Sequence, residues 1–331
     1  MINMSVSDKV NTIAVKHFLN NEMKVLDAYL KKSVKSPYWI LDKITSYMLK
    51  TKGKQMRPMF VFLVHKCFAP INERAYVAAC LIELLHTATL IHDDVVDEAD
   101  YRRNWFSIKG LWKNKIAVLS GDFILSRGML LALENKEYRM LEIVSKAVKK
   151  MSEGELLQLE KSRRLNLDEG LYERIIKEKT ASLLAACCAN AAISADCPDN
   201  IVDKMWDLGE NIGMAFQIQD DILDFSSASS GKIKAGDLKE QKLSLPFIHL
   251  INNSSAINRR KYINIIKRGN SDDKKLAFLL NQLKSSGSID YAINRMMAYL
   301  QKAKDILIEI PESESKKHLV SLIDYVSQRK H

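Results

Sequence analysis

The sequence predicts an all-α fold, on three observations. Glycine and proline are scarce, twelve and six in 331 residues, so few positions break a helix. Leu, Ile, Ala, Lys and Glu recur at helical spacing through long stretches of the chain, which leaves little room for a sheet. With 47% apolar and 27% charged residues the chain can bury a large helical core. No composition shift demands a second domain, so residues 1–331 read as one.

The elements follow in order. From about Val10 to Leu49 the periodicity predicts two amphipathic helices, broken near Ser36 and Pro37, and then a basic turn from Lys52 to Pro58. A long helix runs from about Arg74 to Asp97, another from near Lys115 to Glu134, and a third from Tyr138 to Arg163. Leu171 to Ala195 is a helix of small residues, rich in Ala, Ser and Cys from Ala181 onward, which lets a neighbouring helix approach closely. Met205 to Phe225 is the next helix. Residues 226–242, rich in Ser, Gly and Lys, read as a loop whose natural role is a mobile lid. Leu245 to His331 is helical again, with a join around Gly287.

Fifty Lys and Arg against forty Asp and Glu give a formal net charge of +10, compatible with nucleic acid, an anionic membrane surface or acidic small substrates. The basic residues are spread along helices, without zinc-finger spacing, a helix-turn-helix signature or a basic block with interleaved aromatics, so nucleic acid is set aside. Cys67, Cys80, Cys187, Cys188 and Cys197 are odd in number and lack CxxC spacing, and they read as buried thiols of a cytoplasmic protein. The N-terminal residues carry polar side chains where a signal peptide has its apolar core. No unbroken apolar run reaches the ~18 residues a membrane span needs, so membrane contact is expected to be peripheral at most.

Two acidic pentapeptides carry the functional signal: Asp93, Asp94 and Asp97 in one, Asp220, Asp221 and Asp224 in the other, each closing a helical apolar run. The first and last Asp of each are four apart, which stacks two carboxylates on one helix face and turns the middle Asp aside. Like charges so placed destabilise a helix unless matched by cations. Hard oxygen ligands of this kind suit Mg²⁺, which completes its shell with water and substrate phosphates. A lone acidic pentapeptide is an ordinary solvated helix end, but two copies embedded in apolar sequence argue for one shared site. Bridged diphosphates need further cations: Arg102 and Arg103 follow the first motif, Lys54 and Arg57 occupy the basic turn, Lys179 and Thr180 interrupt a helix, and Lys232 and Lys242 flank the expected lid. His86 lies two turns before Asp93, as a phosphate donor or as a structural histidine, and Gln217 stands one turn before Asp220.

From about Lys52 onward the chain resembles the trans-isoprenyl diphosphate (polyprenyl) synthases. The resemblance rests on Gly53-Lys54-Gln55-Met56-Arg57-Pro58, the region from Glu83 to Arg103, Lys179-Thr180-Ala181-Ser182-Leu183, the segment Gln217–Phe225 and the lid exit Leu243-Ser244-Leu245-Pro246, five elements in the family's order. It implies a bundle of long antiparallel helices around a deep central cavity, usually in a homodimer. It implies Asp93, Asp97 and Asp220 as principal ligands of three Mg²⁺ ions, with Asp94, Asp221 and Asp224 supporting. Lys54, Arg57, His86 and Arg103 would hold isopentenyl diphosphate. Arg102, Lys179, Thr180, Gln217, Lys232 and Lys242 would hold the allylic diphosphate, farnesyl or geranylgeranyl. The chain departs from the family at Asn104, Ala235, Gly236, Gln241 and Ser244.

Product length should be set by what blocks the cavity below the first motif. Ala88 and Thr89 are small where short-chain members carry bulky aromatics, and the pair resembles the long-chain enzymes that make quinone side chains. Met129, Leu130 and Leu133 are candidates for a deeper floor. The alternatives are a short-chain synthase and a non-catalytic regulatory subunit, for which degenerate aspartate motifs would be the mark.

Overall fold

The computed structural model describes residues 13–102, 105–162, 168–226, 244–268 and 272–328. After a helical turn at 13–18, the chain forms α1 (Asn20–Ser33), α2 (Trp39–Lys50), α3 (Met56–Phe68) and α4 (Glu73–Val96). Two short strands follow, β1 (Tyr101–Arg102) and β2 (Trp105–Phe106), then α5 (Ile108–Glu134), α6 (Tyr138–Ser162) and α7 (Glu169–Ile176). A π-turn (Lys177–Ala181) leads into α8 (Ser182–Ser194) and α9 (Asp199–Ser226). The chain ends with α10 (Leu245–Asn252), α11 (Ala256–Arg268), α12 (Asp273–Ser285), α13 (Ser288–Ile308) and α14 (Glu314–Gln328). The Arg103, Asn104, Lys232, Ala235, Gly236, Gln241 and Lys242 of the sequence reading lie outside the described residues.

α4, α8 and α9 form the centre. Asn72 caps α4, its side chain accepting from the Ala75 amide, which satisfies one of the open N–H groups of the first turn. Every residue of α8 but Leu184 is buried, and its small side chains are the reason. At Gly209 of α9 a Cβ would lie 2.6 Å from the Ala185 Cα, and at Gly213 one would lie 2.5 Å from the Ala181 Cα, so α9 lies backbone against backbone on this segment. α9 also packs on α13, and α4 on α3 and α5.

Four departures from the sequence reading have physical reasons. The strands β1 and β2 pair antiparallel, Tyr101 with Phe106 and Arg102 with Trp105; two residues a side are too short to leave a period-2 pattern. α5 starts at Ile108, but Lys113 inside it is non-helical (φ 70°, ψ 168°), so its continuous part begins near the expected Lys115. The single helix expected from Leu171 to Ala195 is two α-helices joined by the π-turn. α9 begins at Asp199, ahead of Met205. The join at Gly287 is present, in the left-handed conformation (φ 72°) that glycine adopts without a Cβ penalty.

Although no unbroken apolar run is long enough, α4 and α5 are each long and apolar enough by composition to cross a membrane. α4 is mostly buried as the core helix; α5 buries only a third of its most apolar stretch. Met129, Leu130 and Leu133 point outward from α5, each more than two-fifths exposed. They do not form a cavity floor within the single chain, because the inward positions of α5 belong to residues such as Ile124, Gly128 and Ala132.

Candidate active site

Both aspartate motifs end long helices, α4 and α9. The C-terminal dipole of a helix is negative, so carboxylates there are doubly unfavourable without cations. The two ends are bridged by the π-turn. Lys179 pairs with Glu155 on α6 and donates to Gln158 Oε1 at 3.3 Å, close enough to Asp93 to act on its charge. Thr180, next along, donates to Gln217 Oε1 at 2.9 Å, and Gln217 Nε2 donates to Asp221 Oδ1 at 3.2 Å.

Outer and middle aspartates have different surroundings. Asp94 is buried and accepts from Arg102 Nε at 2.7 Å; burial raises its pKa and the Arg102 guanidinium opposes the rise. Asp221 is buried and accepts from the Tyr172 hydroxyl at 2.6 Å and the Leu245 amide at 3.1 Å, besides Gln217. Burial pushes it up to about 6, against those three donors. Both oxygens of Asp221 and one of Asp94 are thus engaged by protein donors. Asp93 and Asp97 are accessible, and Asp220 and Asp224 partly so. Asp93 is pushed up to about 6, first by the protein mass around it and then by Glu155 and Asp97 beside it.

Among the described residues no three His, Cys, Asp or Glu side chains converge into a metal shell. Mg²⁺ does not require one, since it binds through one or two carboxylates, water and substrate phosphate. The outer aspartates offer oxygen alone, and Asp93, crowded by Glu155 and Asp97 and partly desolvated, fits such a cation.

Beside the motifs opens a cavity of about 590 Å³. Lys54, Arg57 and His86 line it, as do Arg102 and Thr180 nearer the motifs, and Phe60, Ile91 and Phe216 give it apolar walls. Arg57 Nη1 donates to His86 Nε2 at 2.8 Å, which leaves the ring proton on Nδ1. Gln55, in the left-handed region (φ 53°, ψ 43°), precedes the first residue of α3 and turns the basic segment into the helix. Ala88 and Thr89 lie on another face of α4. The flanking Leu84, Leu85 and His92 meet Gly128 and Gly121 of α5, so this pair faces the α4–α5 interface; Ala88 is buried, and the Thr89 hydroxyl donates to the His86 carbonyl at 2.8 Å.

Sequence reasoning missed Glu155, Gln158, Tyr172 and Tyr325, which carry no motif of their own. Glu155 and Gln158 share the face of α6 turned to Lys179, and Tyr325 lies on the last helix.

Comparison with known proteins agrees with this geometry. The polyprenyl synthetase family model matches residues 39–283. Component 2 of heptaprenyl diphosphate synthase from Bacillus subtilis is 32% identical over 317 residues, 95% of this chain and 89% of that protein. The crystal structure of a decaprenyl diphosphate synthase from Rhodobacter capsulatus superposes with a TM-score of 0.91 at 29% identity, covering 97% of this chain and 99% of that one. A polyprenyl synthase from Caulobacter crescentus, crystallised with calcium and isoprenyl diphosphate, gives 0.87 at 29% identity over 97% and 98%. The chain belongs to the polyprenyl synthetase family and is an all-α prenyltransferase that builds polyprenyl diphosphate.

Proposed function

We infer that the protein condenses isopentenyl diphosphate head-to-tail, in trans, with an allylic diphosphate, farnesyl or geranylgeranyl, in a Mg²⁺-dependent reaction. The product is a long-chain polyprenyl diphosphate suited to a quinone side chain. One observation carries the reading: Lys179 and Thr180 connect the two aspartate motifs beside a cavity whose mouth is basic and whose walls are apolar. Mg²⁺ held by Asp93, Asp97, Asp220 and Asp224, three ions in all, would neutralise charge on the allylic diphosphate. Arg102 and Asp94 brace the first motif, and Tyr172 and Gln217 brace the second through Asp221. Lys179 turns from Glu155 to the diphosphate oxygen that gains charge as the allylic C–O bond breaks. Lys54, Arg57 and His86 hold isopentenyl diphosphate so that its double bond meets the allylic cation, and the departing diphosphate takes the proton then lost. No protein nucleophile enters. The growing tail passes Ala88 and Thr89 between α4 and α5.

The enzyme works in the cytoplasm as a homodimer, joined through the apolar outer face of α5 at Leu119, Met129, Leu130 and Leu133, all exposed in the single chain. A second reading, favoured by the relative named as a component 2, is that the partner across this face is a different subunit. The test is incubation of the purified protein with Mg²⁺, labelled isopentenyl diphosphate and farnesyl diphosphate, with the products sized by chromatography. Products of thirty carbons or more support the reading. A stop at twenty refutes the long-chain assignment, and no product from well-folded protein moves the case to the two-subunit reading.

A further inference from the structure

Tyr325 stands on α14, 271 residues from the basic turn, yet its hydroxyl oxygen accepts from Lys54 Nζ at 2.8 Å. The ring is buried, 3% exposed, and lines the same cavity as Lys54, Arg57 and His86. The Lys54 ammonium also lies 5.4 Å from the ring centroid. A phenol has one proton to give. Lys54 engages its oxygen, and the O–H hydrogen meets no acceptor among the described residues. A buried donor left in that state is unfavourable. Donation from an ammonium polarises the O–H and strengthens it as a donor. A buried, polarised hydroxyl proton at a cavity wall, beside three basic side chains, fits an anionic oxygen.

We propose that Tyr325 is a substrate-binding residue, whose hydroxyl donates to a non-bridging oxygen of the isopentenyl diphosphate that Lys54, Arg57 and His86 hold. The assignment rests on the function inferred above. It gives the last helix a direct part in the homoallylic subsite and none in the allylic one. The rest of α14 fixes the position: Leu322, Ile323 and Val326 are buried around Tyr325, and Asp324 pairs with Lys304 at 2.6 Å.

The test is Tyr325→Phe, which removes one oxygen and keeps the ring. KM for isopentenyl diphosphate should rise about tenfold, the loss of one hydrogen bond to a charged group. KM for farnesyl diphosphate and the melting temperature should not move. A residue that only steadies Lys54 would give the same first result, so the substitution is repeated in Lys54→Met. Direct contact predicts that Tyr325→Phe still weakens isopentenyl diphosphate binding there, measured by calorimetry. An unchanged KM in the wild-type background, or no further loss beside Lys54→Met, overturns the proposal. Wild-type protein that binds isopentenyl diphosphate without elongating it would refute the inferred reaction and leave the calorimetric comparison to decide on Tyr325.

Discussion

Gly213→Ala tests whether the π-turn is held by close packing. A Cβ there would lie 2.5 Å from the Ala181 Cα and 2.8 Å from its Cβ, against an ordinary contact of 3.4 Å or more, so α9 and the π-turn must part by roughly 0.9 Å in a close-packed interior. In an exposed helix the change would stabilise by about 1 kcal/mol. Overpacking costs about 1–3 kcal/mol, so the net effect should lie between neutral and about 2 kcal/mol destabilising. Catalysis should suffer more. The 2.9 Å Thr180–Gln217 hydrogen bond spans the same gap, and a shift of about 1 Å in a positioning group costs about 100-fold in rate. We expect kcat to fall roughly 30- to 100-fold, about 2 to 2.7 kcal/mol, with a melting temperature lower by a few degrees at most. KM for isopentenyl diphosphate should hold, because Lys54, Arg57 and His86 sit on α4 and before and in α3. Gly170→Ala is the control, since a Cβ there meets only Asp168 Oδ1 at 3.4 Å. Steady-state kinetics and thermal melts decide the matter. A Gly213→Ala protein with a raised melting temperature and kcat within twofold of wild type would refute the reasoning.

Glu155→Gln releases Lys179 from its carboxylate partner; KM for the allylic diphosphate should change severalfold while that for isopentenyl diphosphate stays constant, and equal changes in both would count against a local role. Ala88→Phe should shorten the product ladder without lowering the rate of the first condensation, which chromatographic sizing reads directly. In chelator, the raised pKa of Asp221 means the folded state holds a proton that the unfolded state gives up near pH 4, so this group's stabilisation is present at low pH and lost as pH rises through about 6. Melting temperatures of wild type and Asp221→Asn between pH 5 and 7.5 should therefore converge toward the acid end, and a constant difference would exclude the linkage.

What the sequence disclosed depended on how far apart the cooperating residues lie. Asp93 and Asp97 lie one turn apart at the end of α4, and Lys54 and Arg57 lie three positions apart across the start of α3, so their spacing alone exposes them. Asp221 and Tyr172 are 49 positions apart, and Lys54 and Tyr325 are 271 apart; tertiary packing alone brings these together, and no local pattern encodes it. The sideways turn of Asp94 and Asp221 followed from the period of the helix, but neither their burial nor the identity of their donors did. Met129, Leu130 and Leu133 read as candidates for a cavity floor because helical periodicity finds an apolar face without saying what covers it. The helix interruption at Lys179 and Thr180 was legible as a flaw in pattern, but its π geometry was not, since one extra residue in a turn leaves no compositional trace.

That extra residue has a consequence for how the chain can change. A π-turn is a one-residue insertion in an α-helix, and it offsets α8 from α7 by about 100°. Loops usually absorb single insertions and deletions, yet here the deletion of any residue in 177–181 would restore a regular helix and leave the protein with two incompatible demands. If α7 kept its place, the almost wholly buried α8 would rotate its small residues away from Gly209 and Gly213. If α8 kept its place, α7 would turn Tyr172 off Asp221 and Glu173 off Arg295 and Tyr299. Length at this point is therefore as constrained as residue type, and among lineages of such a chain a gap in the turn should be as rare as the loss of Lys179 or Thr180.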